Sequence, residues 1–328
     1  MVYETPGPLG TTLSIAASVA EERPYFTLRE LPAALDYYRA EGYVVLRGLV
    51  PRAATEEVRG LFDRVVRPYR GHIYRQTTAN PERHVFTAEG FMLNPIQNIQ
   101  DLPSRPFAPY REAVLKLLTG PGPVAVLTAL FGQPPRLVQT MQFEGNSATW
   151  AHQDAYYLDS AEQGSMVGLW VALEDIAPGA GRFYVCPRSH LLALPKNRAE
   201  LAIADHHADY KRFIGQVIAE RGLECRAPAL AAGDVLVWHS WTIHGSLPTT
   251  TPAASRRSLT CHAIPRDHGF LQFQSRLRRI RPRLVNGIEV HCPKQQDRLR
   301  NRALLWAEVR APGLYRAAKR WAIRHLTR

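Results

Sequence analysis

The chain has 328 residues, 45% of them hydrophobic and 21% charged, which suits one large or two modest globular domains of ordinary composition. Its net charge of +12 is unevenly placed: residues 266–328 hold 16 of the 41 basic and 4 of the 29 acidic residues, leaving 25 of each in residues 1–265. A neutral body with a basic tail makes the charge a property of the tail's surroundings and not of the body's chemistry.

In chain order, residues 1–27 read as a loose lead-in. Their short apolar stretch, Leu13 to Ala20, follows an acidic, proline-containing segment, so it does not read as a signal peptide. A helix is expected over Leu28–Ala40, a strand over Gly42–Leu46 and a second helix over about 52–66. Residues 68–108 are rich in Pro, Asn, Gln and Arg and show no period. Aperiodic segments of that length are usually functional or mobile, so 72–101 is expected to cover the active site. Two apolar helical stretches follow near 110–118 and 123–131.

From residue 136 the texture changes to short β runs: Arg136–Glu144, Val167–Leu173, Arg182–Val185, Val235–Trp238, Thr242–His244 and Arg256–Ile264. Turns at Pro178-Gly179-Ala180-Gly181 and Ala232-Gly233-Asp234 separate them, and a polar helical insertion at about 197–221 interrupts them. Helical stretches at about 295–309 and 313–326 end the chain. Helices followed by many short strands predict an α+β domain with a β-sandwich or jelly roll at its centre. The expected division is a lead-in (1–27), a main domain (28–265) and a basic helical extension (266–328). No apolar run is long enough to span a bilayer. Cys186, Cys225, Cys261 and Cys292 are far apart with no CxxC, which points to a reducing cytoplasm rather than to disulfides or zinc.

The candidate chemistry sits in Trp150-Ala151-His152-Gln153-Asp154. On an extended chain residues i and i+2 share a face, so His152 and Asp154 can bind one metal ion. His244, in Ile243-His244-Gly245-Ser246, is the candidate third ligand. Two imidazoles and one carboxylate on one face of an octahedron leave three adjacent positions open, which suits Fe(II) oxygenases. A second HxD, within Asp205-His206-His207-Ala208-Asp209, lies in a helical stretch where i and i+2 diverge, and is rejected. His239, beside Trp238, reads as structural. Arg256 opens a β run and can supply a guanidinium fork to a carboxylate; Arg257 is expected to face outward.

These residues, with Glu41–Leu49, Gly168–Asp175, Gly179–Val185 and Gly233-Asp234-Val235, make the chain resemble the phytanoyl-CoA dioxygenase family of Fe(II)/2-oxoglutarate oxygenases over about residues 42–264. The resemblance implies a double-stranded β-helix core of the cupin type, flanked by N- and C-terminal helices. It implies iron on His152, Asp154 and His244, with O₂ as co-reactant and the distal carboxylate of 2-oxoglutarate on Arg256. It also implies Met141, Trp170, Ser246 and Asn98 along the cosubstrate. Tyr156 and Tyr157, just after the metal motif, are candidate substrate contacts. Two segments depart from the family. Arg188 replaces the glycine of a Pro-Gly-Ser-His turn, and Gln142-Phe143-Glu144-Gly145-Asn146 lacks the basic residue and prolines often found after that strand. The substrate therefore need not be an acyl-CoA.

The expected activity is hydroxylation of a C–H bond in a small organic molecule, a secondary metabolite or lipid-like compound, with release of succinate and CO₂. The carboxylate of Asp154 occupies the position that related halogenases leave to chloride. Desaturation, cyclisation and epimerisation begin with the same hydrogen abstraction and stay open. A nucleic-acid partner is not expected, because no aromatic–basic alternation like that of an RNA-binding sheet is present; a non-catalytic cupin-type binding protein is the remaining rival. In the tail, Arg316, Arg320 and Arg324 follow helical spacing. Trp321 and Leu326 are expected to dock on the main domain, with contact to an anionic membrane as the alternative.

Overall fold

The computed structural model describes residues 1–22, 24–192, 203–273 and 276–326. Helices α1 (Leu31–Glu41), α2 (Arg52–Leu61), α3 (Ser104–Leu118) and α4 (Pro121–Phe131) come early. Helix α5 (Ile203–Glu220) interrupts the strands, and α6 (Leu299–Arg310) and α7 (Pro312–Leu326) close the chain. The first strands are β1 (Val2–Pro6), β2 (Thr12–Ala16), β3 (Tyr43–Leu46), β4 (Ile73–Tyr74), β5 (Pro81–Glu82) and β6 (Ile96–Gln97). Next come β7 (Pro135–Phe143), β8 (Leu158–Ser160), β9 (Val167–Ala172), β10 (Phe183–Val185), β11 (Val235–His239), β12 (His244–Ser246) and β13 (Ser258–Pro265). The last are β14 (Phe270–Gln272), β15 (Arg276–Arg278), β16 (Pro282–Val285) and β17 (Ile288–His291).

The main sheet runs β16-β17-β7-β13-β9-β11-β3, antiparallel except where β17 meets β7. Strand β6 pairs with another part of β7. Register aligns Met141 with Thr260, Thr260 with Trp170, Trp170 with Leu236 and Leu236 with Val45, one row across five strands. Because side chains alternate along each strand, this row and its i±2 neighbours share one face. The other face carries Val44, Leu46, Leu169, Val171, Val235, Val237, Leu259 and Cys261. It packs against Ala34, Val58, Phe62, Tyr110, Val114 and Leu118 of the helical side. Each such side chain stabilises by about 1.5–3 kcal/mol when fully buried, and truncating Leu259 to Ala would cost about 2–5 kcal/mol.

Across the first face lies a smaller layer, β10 paired with β12 and extended by a bridge between His152 and His244. A third sheet, β15-β14-β8, lies apart from both in pairing. Tyr43, Val45, Val185, Leu230 and Trp238 pack together with Trp170. Helix α1 ends at Gly42, whose φ of 77° is left-handed and whose α-carbon faces His190 and Thr242, so a side chain there has neither the backbone nor the space.

Several expectations change. Residues 1–27 are not merely a loose lead-in: β1 and β2 form a hairpin, with Ile15 buried beside Tyr184. The segment after 265 is not purely helical: β14 pairs with β8, and β17 joins the main sheet through Arg136 and Leu137. The strand expected over 242–244 runs over 244–246. Arg188 adopts φ 64° and ψ 0°, so the turn keeps a left-handed conformation with arginine in place of glycine. Trp321, expected to dock, is 58% exposed. Residues 197–202 of the expected insertion, and the side chains of Asp205, His206, Arg320, Arg324 and Leu326, lie outside the described residues. Among the described residues no single helix is long and apolar enough to cross a membrane.

Candidate active site

His152 follows β7 on an extended stretch that lies against the start of β12. His152 N–H donates to the His244 carbonyl and His244 N–H to the His152 carbonyl, both at 2.9 Å. This reciprocal bridge brings the two imidazole centroids to 4.3 Å. Each Nδ1 faces a backbone carbonyl two residues earlier, that of Trp150 or Thr242, again at 2.9 Å. A carbonyl can only accept, so Nδ1 carries the proton and Nε2 keeps its lone pair for a metal. Asp154 Oδ1 lies 3.6 Å from Nε2 of His152 and 3.5 Å from Nε2 of His244. The three ligand atoms fall within 4.8 Å of one another, and all three residues are buried.

The other carboxylate oxygen is held separately. Asp154 Oδ2 accepts hydrogen bonds from Trp238 Nε1 at 2.8 Å and from His262 Nε2 at 3.0 Å, and His262 Nδ1 lies 3.1 Å from Gln139 Oε1. Burial by itself would raise the Asp154 pKa. The imidazoles that face the carboxylate, His262 and His244 first and then His152, override it and hold the carboxyl well below its usual range. Burial, followed by the neighbouring His244 imidazole, lowers the pKa of His152 and favours a neutral ring. The set is thus two nitrogen donors and one anionic oxygen, which suits a borderline divalent ion. Gly168 lies across from Trp238, and a Cβ there would collide with the indole that orients Asp154.

The triad opens into a cavity of about 560 Å³ whose wall includes Met141, Trp170, Ser246, Arg256 and Tyr157. Arg256 is 2% exposed, and its backbone N–H is tied to the Glu144 carbonyl at 2.7 Å. Its guanidinium lies 5.7 Å from the Phe143 ring, its Nε has no hydrogen-bond partner, and among the described residues no carboxylate pairs with it. Burial lowers its pKa to about 10, so it remains a cation at neutral pH. A buried, unpaired cation is costly unless an anion completes it. Arg257 is not in the cavity wall and points the other way, where it pairs with Asp63 at 2.9 Å, Glu144 at 3.0 Å and Glu174 at 3.9 Å.

The remaining candidates divide. Ser246 Oγ accepts from Thr149 N–H at 2.7 Å and donates to Asn146 Oδ1 at 3.1 Å. Asn98 is not in the cavity wall; it starts a short turn at φ 55°, its side chain 3.4 Å from Gln100, while its neighbour Gln97 lines the cavity. Tyr156 is also outside the wall, stacked on Tyr210 of α5 at 3.5 Å. Tyr157 is in the wall, its hydroxyl 2.8 Å from His207 Nε2. The rejected second HxD is not part of the metal group, yet His207 lines the cavity from α5. His239 lies away from the group, its Nδ1 accepting from Trp241 N–H at 3.0 Å. Within the segment expected to cover the site, Gln76–Ala79 and Gln97 line the cavity, and β6 is built into the main sheet. The departing residue Glu144 is buried, taking Met92 N–H at 2.8 Å and pairing with Arg67 and Arg257. It serves the fold rather than the substrate.

Sequence reasoning missed His262, Trp238 and Gln139 as supports of Asp154. The available signal was parity: Arg256, Thr260 and His262 line the cavity from even-numbered positions of one extended stretch.

The family model for phytanoyl-CoA dioxygenase (PhyH) matches residues 38–258. The chain is 24% identical over 280 residues to the peroxisomal phytanoyl-CoA dioxygenase of Homo sapiens, covering 79% of this chain and 76% of that protein. It is 27% identical over 192 residues to phytanoyl-CoA dioxygenase domain-containing protein 1 of Bos taurus, covering 56% and 63%. Among solved structures, the fold is similar to the non-haem α-ketoglutarate-dependent epimerase SnoN in complex with Fe³⁺, α-ketoglutarate and nogalamycin RO (TM-score 0.57, 18% identity, 80% and 98% of the two chains). It is also similar to the α-ketoglutarate-dependent carbocyclase SnoK (TM-score 0.52, 20% identity, 78% and 89%). The chain belongs to the phytanoyl-CoA dioxygenase family and is an oxidoreductase that uses iron(II), 2-oxoglutarate and O₂.

Proposed function

We propose that the enzyme hydroxylates an unactivated C–H bond of a small organic substrate, with iron on His152, Asp154 and His244 and the far carboxylate of 2-oxoglutarate on Arg256. The observation that carries this reading is the unpaired, buried Arg256 guanidinium in the same cavity as the triad. Iron with 2-oxoglutarate and dioxygen supplies an oxidant able to remove a hydrogen atom from carbon, releasing succinate and CO₂. The chain's own part is positioning. Trp238 and His262 keep Asp154 Oδ1 turned toward the two Nε2 atoms. Met141, Trp170 and Ser246 wall the cosubstrate, and Tyr157 stands on the substrate side. Asn98 and Tyr156 drop out of this reading, being outside the wall. The double-stranded β-helix reading is supported by the large sheet facing the β10–β12 layer across the triad. A reducing compartment such as the cytoplasm suits four free thiols.

Asp154 favours hydroxylation over halogenation, because it fills the position a halide would need. Epimerisation and ring closure stay as the second reading, favoured by the similarity in fold to the epimerase SnoN and the carbocyclase SnoK. Incubation with Fe(II), 2-oxoglutarate and a metabolite extract separates them by mass: a gain of one oxygen for hydroxylation, a loss of two hydrogens for desaturation or ring closure, and no change for epimerisation. Succinate release that persists without Fe(II) would overturn both.

A further inference from the structure

We propose that the α6–α7 helical pair is a contact site for an anionic membrane surface, fastened to the hairpin that rims the active-site cavity. Helix α6 uses one face to dock. Glu308 is buried and accepts a hydrogen bond from Tyr74 of β4 at 2.7 Å. Val309, Pro312 and Arg316 line a small cleft with His72, Asn80, Pro81 and Glu82. The other face, at i, i+3, i+7 and i+11, presents Leu299, Arg302, Trp306 and Arg310, with the Arg310 guanidinium 6.0 Å from the Trp306 ring. On α7, Leu314 and Trp321 are seven residues apart and so share a face. Leu299, Trp306, Leu314 and Trp321 are 79%, 65%, 77% and 58% exposed.

Apolar side chains this exposed, set among arginines, mark an interaction surface. The charge selects the partner. Residues 266–328 carry the whole excess of +12 over a neutral body, so a second copy of the tail is repelled and an anionic surface attracted. Tryptophan favours the bilayer interface, where its ring lies among apolar groups and its N–H stays wet. The docked face matters too: Tyr74 and Asn80 bracket the turn whose Gln76–Ala79 line the cavity, so the membrane contact and the cavity rim share one hairpin.

The test is sedimentation of the full-length protein with vesicles of equal parts phosphatidylglycerol and phosphatidylcholine, with pure phosphatidylcholine vesicles and duplex DNA as separate arms. Two variants accompany it, Trp306→Glu with Leu314→Glu, and Arg300→Glu with Arg302→Glu and Arg310→Glu; circular dichroism checks that each stays folded. The wild-type protein should pellet with the mixed vesicles only, and less so as salt rises. Either variant should weaken that binding by roughly tenfold or more. Four results would overturn the proposal: wild type left in the supernatant with mixed vesicles at low salt; equal binding by the variants; retention of DNA without vesicle binding; or a dimer in light scattering that the Trp306/Leu314 variant dissolves while vesicles bind neither protein.

Discussion

At the floor of the cavity, each ligand of the metal group is fixed by a second group: His152 by the Trp150 carbonyl, His244 by the Thr242 carbonyl, Asp154 by Trp238 and His262. The rim differs. Gln76–Ala79, Ser147–Trp150, His207 with Lys211, and Gln272 with Phe273 come from four separate stretches, and Lys211 is held over Trp150 by a cation–π contact at 4.7 Å. Metal chemistry tolerates displacement of a few tenths of an ångström, so it sits on a cross-strand bridge and a sheet face; substrate selection tolerates more and sits mostly on loops and one helix. The contrast predicts that floor substitutions change iron or cosubstrate binding, and rim substitutions change substrate use alone.

The largest effect is expected at the ligands. His152→Ala or His244→Ala should abolish Fe(II)-dependent turnover and Fe(II) binding by titration, with the melting temperature nearly unchanged. His207→Ala should keep its iron, because His207 touches Tyr157 and not the triad. Loss of iron in His207→Ala with His152 dispensable would break the contrast at its base.

Arg256 comes next. Removing one buried charge-assisted contact costs about 2–4 kcal/mol, so Arg256→Ala should raise the KM for 2-oxoglutarate by roughly 30- to 1000-fold. Arg257→Ala should leave that KM nearly unchanged and instead destabilise by about 1–3 kcal/mol in urea unfolding, since it strips a cation from buried Glu144. Reversed effects would mean that the strand register at 256–262 is read one residue off.

His262 tests whether the floor extends beyond the ligands. Its Nε2 donates to the carboxylate oxygen that faces away from the imidazole pair. His262→Ala should weaken Fe(II) binding by about 10- to 100-fold while Asp154 remains in place, and His262→Gln, which keeps a donor, should recover part of it. A change in melting temperature with unaltered iron affinity would reduce His262 to a packing residue.

What could be read from the sequence follows the same division. Arg256 and the His152–Asp154 pair were legible because they lie on extended chain, where parity converts spacing into direction. His262 obeys that parity but carries no motif of its own. Strands β16 and β17 were hidden by the arginines around Pro282, although Ile288, Val290 and Cys292 alternate inward. Strands β1 and β2 were hidden because Thr5 and Ile15 are the only buried residues of the two strands. The rim had no signal at all: four stretches spread from residue 76 to residue 273 meet only in three dimensions, so the sequence named iron and cosubstrate but not the substrate.

The smallest effect is expected at Lys211. An exposed cation–π contact contributes about 0.5–1 kcal/mol, so Lys211→Ala should change kcat/KM for the substrate by roughly two- to fivefold if the ammonium or the Trp150 face meets that substrate. Fe(II) affinity and the KM for 2-oxoglutarate should stay at their wild-type values, because Lys211 belongs to α5 and touches neither the triad nor Arg256 among the described contacts. The useful comparison is with Arg256→Ala, another lost cation in the same cavity wall. Two cation losses that divide cleanly between substrate and cosubstrate constants would establish that rim and floor act independently. A Lys211→Ala enzyme whose 2-oxoglutarate KM rises as far as that of Arg256→Ala would show that the rim helps to hold the cosubstrate, and the division of labour between the two ends of the cavity would fail.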